Sequence, residues 1–466
     1  MPLFSTDNLI VLGFLLITLV IGLRAGRNIK DIREYAIANK VYGTGVLTIT
    51  FLATYVGGST VIAEPSDIYK DGMIMTLSVS VQSIFMVFMA FFIAPKMKHF
   101  SGSLTMGDIM CELYGKKGQL VTGIASVFYT VCIVSAQVLA LSYVYKTLLH
   151  FESQWAILLA GVIMVLYSAR GGMKAVASTD MFQFFMIIIL VPLLANTIVR
   201  EIGGVKELFR RVPSEKLQVL SHPHFKQYAG IVFVCLFNSW LISPPFVMRM
   251  LMAKNKKQLT DMFLFCAAFD PVFKFLILLI GLGGFVLYPQ MGSQNFMPDL
   301  INNLFPVGMR GLCAIGLIAV VMSTADSCLH AAGLSLARDV VQPIYAVRGR
   351  KIDELKWARY STLLIGVLSI CLALFTSNVI AMIMYGLGIL SSTIMLPFLA
   401  GVMGLKTDSK SFLTSLWVTL PCFCIMQLTA GKAMGYWIFP ASLFVNAASF
   451  FGMHCLQHKE ALRLGQ

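Results

Sequence analysis

The stretch ATYVGGST, residues 53–60, interrupts a long apolar segment of the chain. Its adjacent glycines, Gly57 and Gly58, each weaken a helix by about 1 kcal/mol. The hydroxyl residues around them can replace lost backbone hydrogen bonds. A helix inside a membrane must satisfy its own backbone polar groups, and a break is tolerated where it lines a cavity. We therefore expect a broken membrane helix here, with freed backbone groups that face a functional site.

Apolar segments like the one around this break recur along the whole chain. The 466 residues are 58% hydrophobic and 12% charged, with a mean hydropathy of +0.80. Soluble domains are about half apolar and a quarter charged, so lipid must surround most of this surface. Because a spanning helix needs roughly 20 apolar residues, residues 1–466 are predicted to form a single all-α membrane domain. The apolar segments predict about 13 transmembrane helices. The fourth, fifth and sixth predicted spans are residues 120–149, 155–169 and 175–199, and the eighth and ninth are 258–288 and 309–342.

The distribution of lysine and arginine predicts the orientation of these helices. With the N-terminus outside and the C-terminus in the cytoplasm, most basic residues, Arg249 among them, fall in inner loops, as the positive-inside rule requires. The segment 200–227 is an exception, which an amphipathic helix lying outside would explain. The net charge of +14 does not indicate nucleic-acid binding, because the basic residues are spread over many short loops. We expect a multi-pass protein of the cell (plasma or inner) membrane, compatible with a monomer.

A second break lies five predicted spans after the first, in NSWLISPP, residues 238–245. Pro244 and Pro245 remove backbone donors and are expected to force a kink. Interrupted helices at matching positions of two halves are the best sequence pointer to a transporter's binding site. The alternative is two ordinary kinked helices packed by small residues. The repeats and the peripheral helices have the following predicted bounds: repeats 43–199 and 228–404, and peripheral helices 8–23, 412–429 and 435–455.

Three segments resemble the sodium:solute symporter family, which carries proline, pantothenate, sugars, iodide and other solutes. They are residues 53–72, GGMKAVASTDMFQ at 171–183 and VVMSTADS at 320–327. The resemblance covers nearly the whole chain, and the segment from Pro244 to Arg249 looks more weakly like the proline-transporting branch. It implies a LeuT-like 5+5 inverted repeat, with one extra N-terminal helix and two extra C-terminal helices.

The resemblance also implies a Na⁺ site where the first break meets the predicted ninth span. Carried over position by position, its ligands are the backbone carbonyls of Ala53, Val56 and Val320 and the hydroxyls of Ser323 and Thr324. Na⁺ is a hard cation that prefers oxygen, and neutral oxygens suit an ion that is released in every cycle. The alternative is that the two hydroxyls only bond back to their own helix.

Two aspartates are candidates for the path of Na⁺. The resemblance suggests that Asp180, near the cytoplasmic start of the predicted sixth span, attracts or relays Na⁺ leaving inward; a local cap or loop contact is the alternative. Asp326 either tunes the ion path or pairs with a basic group. Two positions depart from the family pattern: Tyr55 replaces an aspartate of some branches, and Gly57 replaces a serine of the proline type. They put a second Na⁺ site and proline as the solute in doubt.

The predicted eighth span carries two charges, Asp270 and Lys274, around Pro271. Charged residues inside a membrane are costly and usually paired or functional. Their i,i+4 spacing places them on one helix face. We expect either an ion pair between them or a role in coupling, in which Lys274 could replace a second cation. Glu64, just before Pro65, has no assigned role and is expected near the outer vestibule.

The solute pocket is expected at the two breaks and at the predicted fourth span. Glycines allow close approach, an aromatic side chain supplies a wall, and a few amides and hydroxyls supply polar contacts. A mostly apolar pocket of this kind fits a small organic zwitterion or acid. The candidate residues are Gly57, Gly58, Ser59, Gln137, Asn238, Ser239 and Trp240.

Taken together, these features predict a sodium-coupled symporter that imports an amino acid-like zwitterion or a carboxylate by alternating access. Its partners would be the solute, Na⁺ and the lipid bilayer. One alternative is a non-transporting sensor on the same scaffold, which the short tail after about residue 456 disfavours. A proton-coupled transporter is another. Paired carboxylates, a metal cluster or a nucleophile–base set would indicate an enzyme, and the sequence suggests none of them.

Overall fold

Helices account for all the regular structure in the part of the chain that is described. The computed structural model describes residues 5–149, 153–237, 239–293, 295–376 and 379–463. The α-helices up to residue 217 are α1 (Thr6–Ala25), α2 (Ile32–Ile37), α3 (Thr44–Tyr55), α4 (Glu64–Asp71), α5 (Met73–Ser80), α6 (Gln82–Phe88), α7 (Met106–Leu149), α8 (Ser153–Ile202), α9 (Val205–Arg211) and α10 (Ser214–Leu217).

The rest of the chain continues in the same way. Its α-helices are α11 (Phe225–Leu236), α12 (Pro244–Met252), α13 (Lys256–Leu287), α14 (Phe296–Leu304), α15 (Met309–Ser335), α16 (Gln342–Val347), α17 (Glu354–Phe375), α18 (Val379–Leu390), α19 (Leu396–Val402), α20 (Ser409–Met434) and α21 (Ile438–Arg463).

Eleven of the described helical segments are long and apolar enough to cross a membrane, or twelve if a pair bent by 113° at residues 40–44 counts as one span. The prediction of a multi-pass helical membrane protein is therefore confirmed, whereas the number thirteen is not. One difference concerns α8, a helical segment of 50 residues where the sequence predicts two spans. Gly172 interrupts it with φ 53° and ψ −159°, a conformation that glycine adopts at little cost.

The two predicted breaks are both present, with different local structures. After α3 the chain turns at Val56–Gly58, continues as a π-helical turn over Ser59–Ala63 and enters α4. After α11 a short 3-10 turn, Ser239–Ile242, leads into α12. The prolines begin α12 instead of kinking a continuous helix, which corrects that prediction. Proline suits this position because the first amides of a helix have no intrahelical acceptor.

Helix α15 lies at the centre of the molecule. Every residue from Cys313 to Ser335 is buried, and the helix packs against α1, α3, α7, α8, α12 and α17. The least buried of the candidate spans are α1, α20 and α21. This arrangement brings the polar residues of α15 against the end of α3, where the first break begins.

Candidate ion and solute site

The first break frees backbone carbonyls at the end of α3. The helix ends at Tyr55, and Val56 leaves the helical conformation with φ −80° and ψ 70°. The amide of Gly57 bonds to the Tyr55 carbonyl at 2.9 Å, a tighter turn than an α-helix makes. The last carbonyls of a helix lack intrahelical donors and carry partial negative charge. The end of α3 is therefore a place where a cation is favoured.

Helix α15 places hydroxyls against these carbonyls. The Ser323 hydroxyl lies 2.8 Å from the Ala53 carbonyl oxygen and 3.0 Å from that of Val320. The structure therefore brings Ala53, Val320 and Ser323 together across the two helices. The Ser323 contact with Val320 is a bond within its own helix, as expected if the hydroxyl only bonds back to α15. The contact with Ala53 joins two helices and is not explained in that way.

The neighbouring hydroxyl, that of Thr324, donates to the Thr54 carbonyl at 3.3 Å. A Cβ atom on Gly57 would lie 2.5 Å from the Thr324 hydroxyl oxygen, so a larger residue there would displace this hydroxyl. Val56 stands at the end of α3 beside these residues. All of them are buried, and they supply only neutral oxygen atoms to this site.

The candidate solute residues lie in different parts of the structure. Gly58 faces Gln137 of α7: a Cβ on this glycine would lie 2.9 Å from the amide oxygen of Gln137. That oxygen is buried and has no hydrogen-bond partner among the described residues. Trp240 packs its ring at 6.4 Å from that of Tyr129 on α7. Ser59 is exposed. Asn238 and the side chain of Ser239 lie outside the described part of the chain.

Asp180 of α8 pairs with Arg249, a residue that the sequence places in an inner loop. The structure buries Arg249 completely in α12, and its Nη2 lies 2.8 Å from Asp180 Oδ2. The guanidinium also donates to the carbonyls of Thr50 and Pro245, both at 3.0 Å, and to the Ser327 hydroxyl at 2.6 Å. The Thr50 hydroxyl donates to Asp180 as well. Asp180 thus belongs to a tertiary ion pair and not to a local cap.

Asp326 of α15 is bound by hydroxyls. It accepts from Tyr167 at 2.9 Å, from Thr179 at 3.2 Å and from Ser327 at 3.3 Å. Ser327 also donates to the Ser323 carbonyl at 2.8 Å, so it connects Asp326 to the candidate ion ligands. The three fully buried charged residues beside the candidate ion ligands are here called the Arg249 cluster: Asp180, Arg249 and Asp326.

A second set of buried charges lies between α4 and α13. Lys274 forms its ion pair with Glu64 and not with Asp270, which corrects the expectation from their i,i+4 spacing. Asp270 instead accepts from the Tyr55 hydroxyl at 2.8 Å and from the Ser83 hydroxyl at 2.7 Å. Glu64 reaches Lys274 from another helix, a contact that helical spacing cannot reveal. These buried charges are here called the Lys274 cluster: Glu64, Asp270 and Lys274.

This architecture defines a LeuT-like membrane protein: two broken helices, with the first break facing a central polar helix across buried oxygen atoms. Residues 35–419 match the Sodium:solute symporter family, and the chain belongs to that family. The family and the relatives below are transporters, so an enzymatic function is not supported.

Relatives and solved structures agree with this assignment. High-affinity choline transporter 1 of Drosophila melanogaster is 24% identical over 392 residues, 78% of this chain; the chain covers 61% of that relative's length. The osmoregulated proline transporter OpuE of Bacillus subtilis (strain 168) is 21% identical over 402 residues, 81% of this chain and 79% of the relative. A Na⁺-coupled sialic acid symporter in a substrate-bound outward-open state shares the fold with a TM-score of 0.82 at 15% identity, over 96% of this chain and 97% of that chain.

Proposed function

We propose that this protein is a sodium-coupled symporter that imports a small organic solute by alternating access. Family membership supports Na⁺ as the coupled ion. The single observation that carries the proposal is the contact of Ser323 on α15 with the Ala53 carbonyl at the end of α3. Two helices that meet through neutral oxygens can close around Na⁺ and separate when it leaves. Na⁺ is the transported partner here and not a resident cofactor.

The proposed ligands are the oxygens of Ala53, Val56, Val320, Ser323 and Thr324. In this proposal the Arg249 cluster receives Na⁺ on its way out, because one Asp180 oxygen, Oδ1, has no hydrogen-bond partner among the described residues. A carboxylate oxygen of this kind attracts a cation at short range. We place the N-terminus outside and the C-terminus in the cytoplasm of the cell membrane, with inverted repeats at 43–199 and 228–404.

The proposed solute is an amino acid-like zwitterion or a carboxylate, bound at the first break. Gly57 and Gly58 let side chains approach the backbone closely there. The unpaired amide oxygen of Gln137 supplies a polar contact, and the ring of Trp240 supplies an apolar one. The related transporters carry, by their names, solutes as different as choline and proline, so the family alone does not select one solute.

The test is uptake into proteoliposomes. Purified protein is reconstituted and given a panel of radiolabelled amino acids, carboxylates, sugars and choline, with an inward Na⁺ gradient or with K⁺ in its place. At least one solute should accumulate only with the Na⁺ gradient. Uptake that follows a proton gradient and ignores Na⁺ would contradict the ion assignment, and binding without accumulation would favour the sensor.

A further inference from the structure

The Lys274 cluster places three charged side chains in the interior of the protein. Glu64, Asp270 and Lys274 are 3%, 1% and 3% exposed. Lys274 is paired with Glu64 across α13 and α4, and the cluster lies near the middle of the 32-residue helix α13. Buried charges in a membrane segment persist only when they are paired or functional. The net charge of this cluster therefore needs a physical explanation.

The cluster contains two carboxylates and one ammonium group, so the ionised cluster has one negative charge in excess. The ionisable groups facing it from other positions do not supply the missing positive charge. The phenol of Tyr55 and the thiols of Cys235 and Cys266 are neutral near neutral pH, and Asp67 of α4 adds negative charge. A buried uncompensated charge is strongly unfavourable. The cluster must therefore acquire one further cation when it is closed off from water.

The hydrogen bonds of the cluster indicate which cation fits. Oδ2 of Asp270 accepts from the Ser83 hydroxyl, and its Oδ1 shares the Tyr55 hydroxyl proton with the amide oxygen of Gln82. One oxygen of Glu64 accepts from Lys274. The remaining oxygen, Oε1 of Glu64, is buried and has no hydrogen-bond partner among the described residues. A hard metal ion needs several oxygen ligands, whereas a proton needs one. The described residues also contain no group of three or more His, Cys, Asp or Glu side chains that could hold a metal ion.

We propose that Glu64 takes up and releases one proton in each transport cycle, so that the symporter is driven by H⁺ as well as Na⁺. Oε1 of the carboxylate receives the proton from water and becomes the O–H of a carboxylic acid. Lys274 stays protonated and Asp270 stays ionised. Release reverses this step, and no other bond is formed or broken. The neutral cluster can be closed off from water, and the charged cluster has to face it.

The position of the cluster connects it to the ion site. Tyr55, which donates to Asp270, is the last residue of α3 and lies between Thr54 and Val56. A movement of the α3 end that opens the Na⁺ ligands therefore moves a hydrogen bond of the Lys274 cluster. This coupling rests on the proposed Na⁺ symport, whereas proton binding by the cluster does not.

The test uses protons and Na⁺ themselves as probes. Proteoliposomes are adsorbed on a solid-supported membrane and stepped from alkaline to mildly acidic buffer, without Na⁺ or solute, while displaced charge is recorded. We expect a transient displacement in the wild type that is lost in Glu64→Gln and in Asp270→Asn. Either change leaves one carboxylate and one ammonium, a neutral pair that needs no proton. Lys274→Met leaves two carboxylates and should keep the displacement, as should the surface control Glu207→Gln.

A separate Na⁺ step checks that each variant is folded; if Glu64→Gln fails this check, Asp270→Asn decides. A proton displacement of wild-type size in both variants would overturn the proposal. A wild-type proton displacement no larger than that of protein-free liposomes would also overturn the proposal. A Na⁺ displacement that depends on Glu64, with no proton displacement, would show that Na⁺ occupies the cluster. A wild type that responds to protons but not to Na⁺ would contradict the proposed function and leave the proton site standing.

Discussion

The Arg249 cluster and the Lys274 cluster have the same formal composition and different surroundings. Each contains two buried carboxylates and one buried base. Arg249 donates to Asp180, to Ser327 and to two carbonyls, and Ser327 links its cluster directly to the Ser323 backbone. Lys274 is paired with Glu64, and its cluster is connected to α3 through Tyr55. The first cluster is thus continuous with the proposed Na⁺ ligands, and the second is set apart from them.

The comparison indicates how one protein can treat two cations differently. Beside the Arg249 cluster, several neutral oxygens lie close together, so Na⁺ can supply the missing positive charge. Beside the Lys274 cluster, a single carboxylate oxygen is available, which suits a proton. The two bases also differ: a guanidinium is always charged and spreads its donors over several acceptors, whereas an ammonium is a compact charge. Each of the following predictions tests one part of this difference.

The largest effect is expected from removing the two hydroxyls of the ion site. In Ser323→Ala/Thr324→Ala, each lost contact to a charged partner costs roughly 1.5–3 kcal/mol. The Na⁺ concentration for half-maximal uptake should therefore rise about 100-fold or more. Thr197→Ala is the matched control, because its hydroxyl bonds only to Leu193 within α8. An unchanged Na⁺ requirement in the double variant would remove these residues from the site.

Replacing the two bases should have unequal effects on stability. Arg249→Met leaves Asp180 buried without its partner, a change that costs about 3–5 kcal/mol. Lys274→Met should cost less, because Glu64 can be neutralised by a proton. Thermal unfolding in detergent measures both. The double variant Arg249→Met/Asp180→Asn should recover much of the loss. Equal melting temperatures for the two single variants would contradict the difference between the clusters.

A methyl group at the first break should disturb the ion site directly. In Gly57→Ala the added Cβ would lie 2.5 Å from the Thr324 hydroxyl oxygen, so this ligand must move. Overpacking typically costs about 1–3 kcal/mol, and we expect the Na⁺ requirement of uptake to rise about tenfold. Gly13→Ala is the control, since nothing lies within 4 Å of its added Cβ. Equal Na⁺ dependence of the two variants would mean that Thr324 is not a ligand.

The smallest effects should follow from removing one hydroxyl donor in each cluster. Ser83→Ala takes a donor from Asp270, and Tyr167→Phe takes one from Asp326. Each should destabilise the protein by about 1–3 kcal/mol. Only Ser83→Ala should change the proton-induced charge displacement, because only Asp270 belongs to the Lys274 cluster. The same change in proton-induced charge displacement in Tyr167→Phe would show that the two clusters act as one electrostatic unit.

The sequence predicts the membrane fold well, for physical reasons, whereas Na⁺ binding by the oxygens between α3 and α15 stays a prediction. Composition requires lipid around the chain, and the glycines at 57 and 58 mark a break that the structure contains. The resemblance to the family predicts that Ala53 lies near Ser323, although the two residues are 270 positions apart in the chain. Neither periodicity nor helix propensity could have found that contact.

The charged clusters were predicted less well. Helical spacing suggested Asp270 as the partner of Lys274, but Glu64 from a different helix is closer. The sequence counts Arg249 among the basic residues of the inner loops, although it lies in a fully buried helix. Both cases depend on contacts between helices that are distant in sequence, and a single sequence carries no signal for them. The sequence does indicate that a charged residue buried in a membrane needs a partner, because burying an unpaired charge is costly. It does not indicate which residue that partner is.

The central claim is that the neutral oxygens between α3 and α15 bind Na⁺. The most direct test is equilibrium binding of radiolabelled Na⁺ to the purified protein, without solute, in the wild type and in Ser323→Ala/Thr324→Ala. We predict saturable binding of one Na⁺ per chain in the wild type and its loss in the double variant, with binding retained in Thr197→Ala. Saturable binding of equal affinity in the wild type and in the double variant would contradict this site, and so would a wild type without saturable binding.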